Sequence, residues 1–524
     1  MRKYFLFFVL SLFTLTVVVS FIDKKPANIS SEKIKNSLSE CAPYYDYNPK
    51  AKAFLQTQNP TILTRKNIMG LSSADSTNFY NAIYAIQHTV QPSPNTNSNM
   101  TIWKFQAAMH EDHPSTNLNF GSSVHGKFFF LAWYRMYIYF FERIMRRYMP
   151  VGDAMGLPYW NYQSYGMIPP MFRNAFINNV VNTLYNTTRN RNMTNGGSLP
   201  SYTPTGQSRS STIDFQIKRA LSNPNFYAFQ LILEDAHGGV HQGVGGNMFN
   251  ARTAAEDPLF YIHHANIDRL WQVWLNKGEG RCNPTKFSDE KWWKTSYNFY
   301  DENGAVVSIT GEMIVNITNN LLPYKYDSVG TPPVQKTCNS LKKSVYDTQK
   351  KTTFKVTVSN TLIQNRITII KFPLLTSKMV DSIKLSKNHG KLDVYNKKGS
   401  DAVYVEFEDV KVNKIPEGVV EVYIYPKSIT NPSPNDIGFA GLLNLFTATA
   451  SNSHSNGHKE EIKPNLLRIN INYVVKKNYM SLLALSQMQL VFVVRGNDLN
   501  NKEVLTKADI TIGKTSLAIY NETD

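Results

Sequence analysis

His237 and His241 stand four residues apart around Gly238-Gly239-Val240, and a second pair, His263-His264, follows inside Asp257-Pro-Leu-Phe-Tyr-Ile-His-His-Ala-Asn-Ile-Asp-Arg-Leu-Trp271. A spacing of four places two imidazoles on one face of a helical turn. Neutral imidazole is a favoured ligand for copper, zinc and iron. A third imidazole from the downstream pair completes a nitrogen-only set without thiolate or carboxylate. Such a set suits copper working on oxygen, and zinc satisfies the same donor types.

These residues need two helices, one for each histidine pair. The second segment resembles the copper B half-site of tyrosinases, catechol oxidases and haemocyanins, the type-3 copper proteins, with its His-x-x-x-His pair and its Asp-Pro-x-Phe-x-x-His-His-x-x-x-Asp-x-x-Trp run. The resemblance implies copper ligands at His237, His241 and His264, with His263 as a neighbour that does not ligate. It implies that Phe260 overhangs the metal pair and gates the substrate ring, and that Glu234 holds a water or proton carrier. Gly238 falls where many enzymes that hydroxylate monophenols carry Asn, so the departure points to diphenol oxidation.

The partner half-site is expected upstream, on another helix pair. His125-Gly-Lys-Phe-Phe-Phe-Leu-Ala-Trp-Tyr-Arg135 resembles the copper A motif, in which Trp-His-Arg follows the histidine; here the chain reads Trp133-Tyr134-Arg135. The first copper A ligand is expected at His110, with His113 one turn on as a substitute. Phenol has a pKa near 10, so Tyr134 ligates well only as phenolate, which favours cupric copper. Three outcomes stay open at this point: a weak site of two histidines and a tyrosinate, a site completed by His113, and an empty site with Tyr134 packed as an aromatic. No cysteine lies between His110 and Tyr134, which excludes a Cys–His thioether there. His88 reads as a solvent-facing histidine, and His454 and His458 as part of a solvated polar loop.

The elements around these motifs divide the chain. Residues 73–90 and 101–110 read as helices, and Phe128–Tyr148 as a strongly aromatic one. Leu157-Pro-Tyr-Trp-Asn161 is expected to pack beneath copper A, 186–213 to form a surface loop, and Ser288–Tyr300 to be helix and core edge around Trp292-Trp293. Leu322-Pro-Tyr324-Lys-Tyr326 resembles the tyrosine motif that ends the catalytic core of plant polyphenol oxidases, with Arg65 as its partner. Beyond Pro332-Pro333 the pattern changes to period-two alternation. Strands are expected at Thr353–Val358, Val403–Phe407, Val419–Tyr425, Leu466–Tyr473 and Leu490–Val494. Short strands without intervening helices argue a β-sandwich. The expected fold class is therefore α+β multidomain: a mainly α-helical four-helix-bundle copper core over residues 41–327, a linker at 328–345, and an all-β sandwich over 346–524. That tail resembles the domain that covers the copper pocket in plant polyphenol oxidases and is removed by proteolysis.

Length and composition agree with this division: 524 residues, 42% hydrophobic and 12% aromatic, supply a large core. Residues 1–22 carry Arg2-Lys3 before a long apolar run, as in a secretory signal, and six Asn-x-Ser/Thr sequons begin at Asn28, Asn99, Asn186, Asn192, Asn316 and Asn521. The expectation is a secreted glycoprotein with no membrane attachment once the signal is cleaved. Three cysteines, Cys41, Cys282 and Cys338, allow one bridge, preferably Cys282–Cys338. The net charge of +17 is spread over scattered lysines with no nucleic-acid motif. The functional expectation is a copper oxidoreductase, with one or two copper ions, that turns o-diphenols into o-quinones with O2. The alternative is a secreted binding or matrix protein of the same fold with one copper or none.

Overall fold

The computed structural model describes residues 52–53, 60–90, 100–111, 124–125, 129–177, 179–202, 210–285, 290–318, 321–330, 351–372, 401–426, 438–446, 448, 466–477, 484, 488–499 and 502–521. Six longer helices build the first part: α1 (Ser73–His88), α2 (Ile102–Glu111), α3 (Phe130–Arg146), α4 (Thr212–Ser222), α5 (Phe226–Val244) and α6 (Leu259–Asn276). Helix α3 is almost wholly buried, from Phe130 through Glu142 and on to Met145. A helix apolar all round belongs in the middle of a core, and α3 is the post around which α5 and α6 pack.

A buried hub ties the two ends of this part together. Strand Leu63–Arg65 pairs in parallel with Tyr324–Tyr326. From it, Arg65 Nε donates to Glu142 of α3 at 2.8 Å, and Nη1 donates to Asp268 of α6 at 3.2 Å and to the Tyr326 hydroxyl at 2.9 Å. Arg135 Nε donates to the other oxygen of Asp268 at 2.5 Å, and the hydroxyls of Tyr324 and Tyr326 donate to Asp268 at 2.7 and 2.6 Å. The expected Arg65–tyrosine partnership is thus present. Asp268→Ala would leave the Arg135 guanidinium buried without a carboxylate and Arg65 with Glu142 alone. Breaking such a pair costs about 3–5 kcal/mol, so thermal unfolding of this variant should shift down by roughly 5 °C. A loss below about 1 kcal/mol would mean the hub behaves like a surface ion pair.

The second part holds two antiparallel sheets. With strands β1 (Lys351–Ile363), β2 (Ile367–Lys371), β3 (Asp401–Lys414), β4 (Gly418–Pro426), β5 (Phe439–Leu442), β6 (Leu466–Asn470), β7 (Met488–Leu499), β8 (Lys502–Leu505) and β9 (Asp509–Asn521), the orders are β1-β9-β3-β6 and β2-β7-β4-β5, with β8 on β7. Side chains alternate across a strand, and here both faces of the second sheet are used. Leu490, Phe492, Val494, Val420, Val422 and Ile424 join the apolar core of the tail. Their neighbours Val491, Val493, Val419, Tyr423, Phe439 and Leu442 join the core of the helical part. The second sheet is therefore a middle layer, with helices on one side and the first sheet on the other.

Some local expectations are corrected. Strand Leu466–Tyr473 stops at Asn470 and a helix, Asn472–Lys477, follows, so the tail is not all β. Residues 186–213 are not simply a surface loop: Met193 and Leu199 are fully buried, and Ser198 exchanges two backbone hydrogen bonds with Asp498 of β7 at 2.8 and 2.9 Å. The helix expected within Ser288–Tyr300 is present at Glu290–Lys294 with Trp292 buried, and a strand, Ser296–Tyr300, follows it. Leu157–Asn161 joins two site helices: Leu157 N donates to Glu142 of α3 at 2.5 Å and Trp160 N donates to Ile262 O of α6 at 3.0 Å. Cys282 is disulfide-bonded; Cys41 and Cys338 lie outside the described residues, as do residues 1–22, His113, His454 and His458. His88 is exposed and stacks on Tyr84 at 4.1 Å, as expected.

Candidate metal centre

Two devices fix the downstream histidines. Asn225 caps α5 by accepting from Ala228 N, and Gly245 at φ +71° ends it, a conformation that favours glycine. His241 lies in the last turn, where its Nδ1–H donates to Met248 O at 2.6 Å, so Nε2 is left bare. At the start of α6, Asp257 Oδ1 accepts from Leu259 N at 2.9 Å. The same carboxylate is gripped by buried Arg189 at 2.8 and 2.7 Å. This explains the Asp-Pro of the motif: the carboxylate starts the helix that carries Phe260, His263 and His264. Arg189 was not singled out from sequence, because nothing in its surroundings marks it.

His237, His241, His263 and His264 each offer a ligand atom within 4.8 Å of the others, and all four are buried. His241 Nε2 lies 3.0 Å from His237 Nε2. Among the described residues, Nδ1 of His237 and both ring nitrogens of His263 and His264 have no hydrogen-bond partner. A buried polar atom left unsatisfied costs about 1–3 kcal/mol. Burial, followed by the neighbouring imidazoles, holds His237, His241 and His264 far below the usual histidine range. Neutral, convergent, unpartnered imidazoles are what a divalent cation requires, so the residues present fit a metal. The structure brings His263 into the cluster as well, beside the three expected ligands.

The upstream residues meet the cluster from α2, α3 and the turn before α3. His110 closes α2, and His125 lies in that turn rather than on a helix. The Tyr134 hydroxyl lies 2.7 Å from His110 Nε2 and 2.9 Å from His125 Nε2. His125 Nδ1 lies 3.1 Å from Glu234 Oε1. A carboxylate accepts, so His125 carries its proton on Nδ1 and turns a bare Nε2 towards Tyr134. The hydroxyl then donates to His125 and accepts from His110. Burial, and then the charge of Glu234, push the Tyr134 phenol well above its ordinary value, so it stays protonated. Its ring lies flat on His264, 3.8 Å between centroids and 8° between planes. Phe260 wedges between the halves, 4.7 Å from His110 and 4.3 Å from His264.

One further ring was not foreseen. Phe446, from the tail, stacks on His241 at 3.9 Å and 14°, and meets His125 and His237 edge-on at 5.1 and 5.5 Å. Nearby, Asn444 Nδ2 donates to Glu234 O at 3.2 Å. Gly238 faces that carboxamide rather than an open pocket.

Burial lowers His110, His125 and His263 to about 3. Between that value and about 6.5 the unfolded chain binds more protons than the folded one, so stability falls as pH drops through this window. The metal-free chain should lose thermal stability steadily between about pH 6.5 and 4 and change little above neutrality. A level profile down to pH 4 would contradict the burial of these rings.

Helices bring imidazoles from two halves of the chain together in one buried cluster that could hold a metal ion. Residues 100–277 match the common central domain of tyrosinase, and residues 286–339 match the polyphenol oxidase middle domain; over these segments the chain is similar to tyrosinases and polyphenol oxidases. It is 31% identical over 268 residues to a tyrosinase from Hahella sp., a match covering 44% of this chain and 53% of that protein. It is 28% identical over 263 residues to the chloroplastic polyphenol oxidase II of Ipomoea batatas, covering 42% of this chain and 41% of that one. The matched region thus spans about half or less of those curated relatives. Among solved structures, latent aurone synthase, a polyphenol oxidase, superposes with a TM-score of 0.55 at 18% identity, covering 93% of this chain and 94% of that chain. Latent apple tyrosinase gives 0.55 at 18% identity, covering 90% and 100%. These likenesses show the fold. Among the described residues, no helix is long and apolar enough to cross a membrane.

Proposed function

We propose that this chain is a secreted copper oxidoreductase that oxidises o-diphenols to o-quinones and reduces O2 to water, two diphenols for each O2. One observation carries the reading: three imidazoles expected as copper ligands, His237, His241 and His264, converge on a dry centre beneath a flat aromatic ring. His237, His241 and His264 would hold copper B, and His110 and His125, with Tyr134, would face copper A. Bound copper would carry electrons between the diphenol and oxygen. The chain's own residues do the rest. Glu234 orients His125 and can take a proton from it, Phe260 spaces the two halves, and the buried walls exclude water. An aromatic substrate would lie where Phe446 lies, stacked on His241.

The architecture proposed with this function is a four-helix-bundle core of α2, α3, α5 and α6 within residues 41–327. A linker at 328–345 joins it to a β-sandwich tail over 346–524. Secretion rests on the apolar leader and the sequons; Asn316 is exposed, and Asn186 and Asn192 are half-exposed. The protein purified from its own secretory route should hold copper through dialysis, and removing the tail should yield catechol-dependent oxygen uptake. His241→Ala and His264→Ala should each release copper. Protein that holds no copper and takes up no oxygen after tail removal would sink the oxidase reading.

Tyr134 favours a second reading, a secreted binding or matrix protein holding one copper or none. Its hydroxyl already satisfies both upstream imidazoles. Copper stoichiometry separates the two: two ions per chain support the oxidase, one or none the binding protein.

A further inference from the structure

Gly238 and Gly239 stand together in the middle of α5, a helix of 19 residues. A mid-helix glycine costs about 1 kcal/mol relative to alanine, so an adjacent pair calls for a physical reason. That reason lies on the tail. A Cβ at Gly238 would fall 2.1 Å from Asn444 Oδ1 and 2.5 Å from its Cγ, and a Cβ at Gly239 would fall 2.8 Å from Leu442 Cδ1. A side chain at Gly238 must displace the whole carboxamide, whereas one at Gly239 needs only the tip of Leu442 to give way. Asn444 is buried, and its Nδ2–H donates to Glu234 O one turn earlier on the same helix. Two residues beyond Asn444, Phe446 lies on His241. The carboxamide thus enters the helix wall where a side chain of α5 would otherwise stand, beside His237 and the Glu234 that orients His125.

We propose that Gly238-Gly239 is a socket cut into the site helix for the tail, that Asn444 is the group seated in it, and that this seating holds Phe446 over the imidazoles. The proposal deepens the reading of a covered aromatic site, on which it rests. It adds that the closed state is encoded in α5 itself: a side chain at 238 and closure by the tail compete for one volume. It also assigns Asn444 as a positioning residue, a tail carboxamide set beside the first histidine of the cluster where α5 contributes no side chain.

Hydrogen exchange on the full chain, as purified, tests this without reference to turnover. In Gly238→Ala the new methyl should expel the carboxamide, and backbone exchange over 439–446 should quicken by about tenfold or more, while the rest of α5 stays protected. Asn444→Ala should quicken the same segment. The double variant should exchange more slowly than the sum of the single effects predicts, because the methyl then fills space the carboxamide has left. Unchanged exchange in Gly238→Ala overturns the socket. So do strictly additive effects, and so does loss of protection throughout α5, since each assigns the change to the helix rather than to its fit with the tail. Failure of the oxidase reading would leave these exchange rates where they are.

Discussion

Tyr134→His is expected to raise bound copper towards two ions per chain, and to raise catechol oxidation with it. The phenol lies within hydrogen-bonding distance of two imidazoles that would otherwise offer lone pairs to a metal. To ligate, it must lose a proton that burial and Glu234 hold on firmly. From a pKa of about 10 or more, ionisation at neutral pH costs at least about 4 kcal/mol, roughly a thousandfold in affinity unless the cation offsets it. An imidazole in the same place is already neutral and costs nothing to deprotonate. It would also keep a flat ring against His264, so the packing of α3 on α6 should survive. Tyr134→Phe should leave copper content unchanged, because a protonated phenol holds none. Copper and oxygen uptake measured across wild type, His and Phe variants decide the matter. Two ions in wild type with one lost in the Phe variant would make Tyr134 a working ligand, and the histidine variant would then gain nothing.

The downstream half of the site was legible because its chemistry is local. His237 and His241 are separated by one helical turn, and Phe260, His263 and His264 share the next long helix, so sequence spacing nearly determines spatial spacing. The upstream half was legible only in part. His110 and His125 were named and both reach Tyr134, but His125 sits in a turn whose geometry no periodicity encodes. Arg189 escaped notice because a lone arginine in a polar stretch carries no signal until Asp257 is seen beside it. In the tail, the strands announced themselves by alternation, yet Leu490–Val494 is apolar at every position. Such a run signals burial on both faces, and so a middle layer between helices and a second sheet. The break after Asn470 follows from side chains that compete with the ladder: Asn470 accepts from Asn472 N at 3.1 Å, and Asn472 accepts from Val403 N at 2.8 Å. The covering contact itself was illegible, because some two hundred residues separate Phe446 from His241 and nothing in either segment points to the other.

Phe446→Ala should raise catechol oxidation by about tenfold or more while leaving the fold of both parts intact. A planar diphenol needs the volume that Phe446 fills against His241, His125 and His237, so in the closed chain substrate must displace a buried ring. Truncating a buried phenylalanine removes about 3–5 kcal/mol from the state that holds it, and here that state is the closed one. The rest of the tail interface does not depend on this ring. Thr212 of α4 still donates at 2.7 Å to Glu421, which Arg495 grips within the tail at 2.6 and 2.8 Å, and Asn497 still donates to Gly243 O of α5 at 2.6 Å. The variant therefore separates an obstructed site from a detached domain. Its gain should appear mainly as a lower KM, since the imidazoles are untouched and only entry is eased. Cutting the linker at 328–345 should bring a comparable gain only when the tail also leaves, because these polar contacts hold it in place after the chain is cut. A Phe446→Ala protein no faster than its parent, with copper content equal, would mean that the ring over His241 does not limit access.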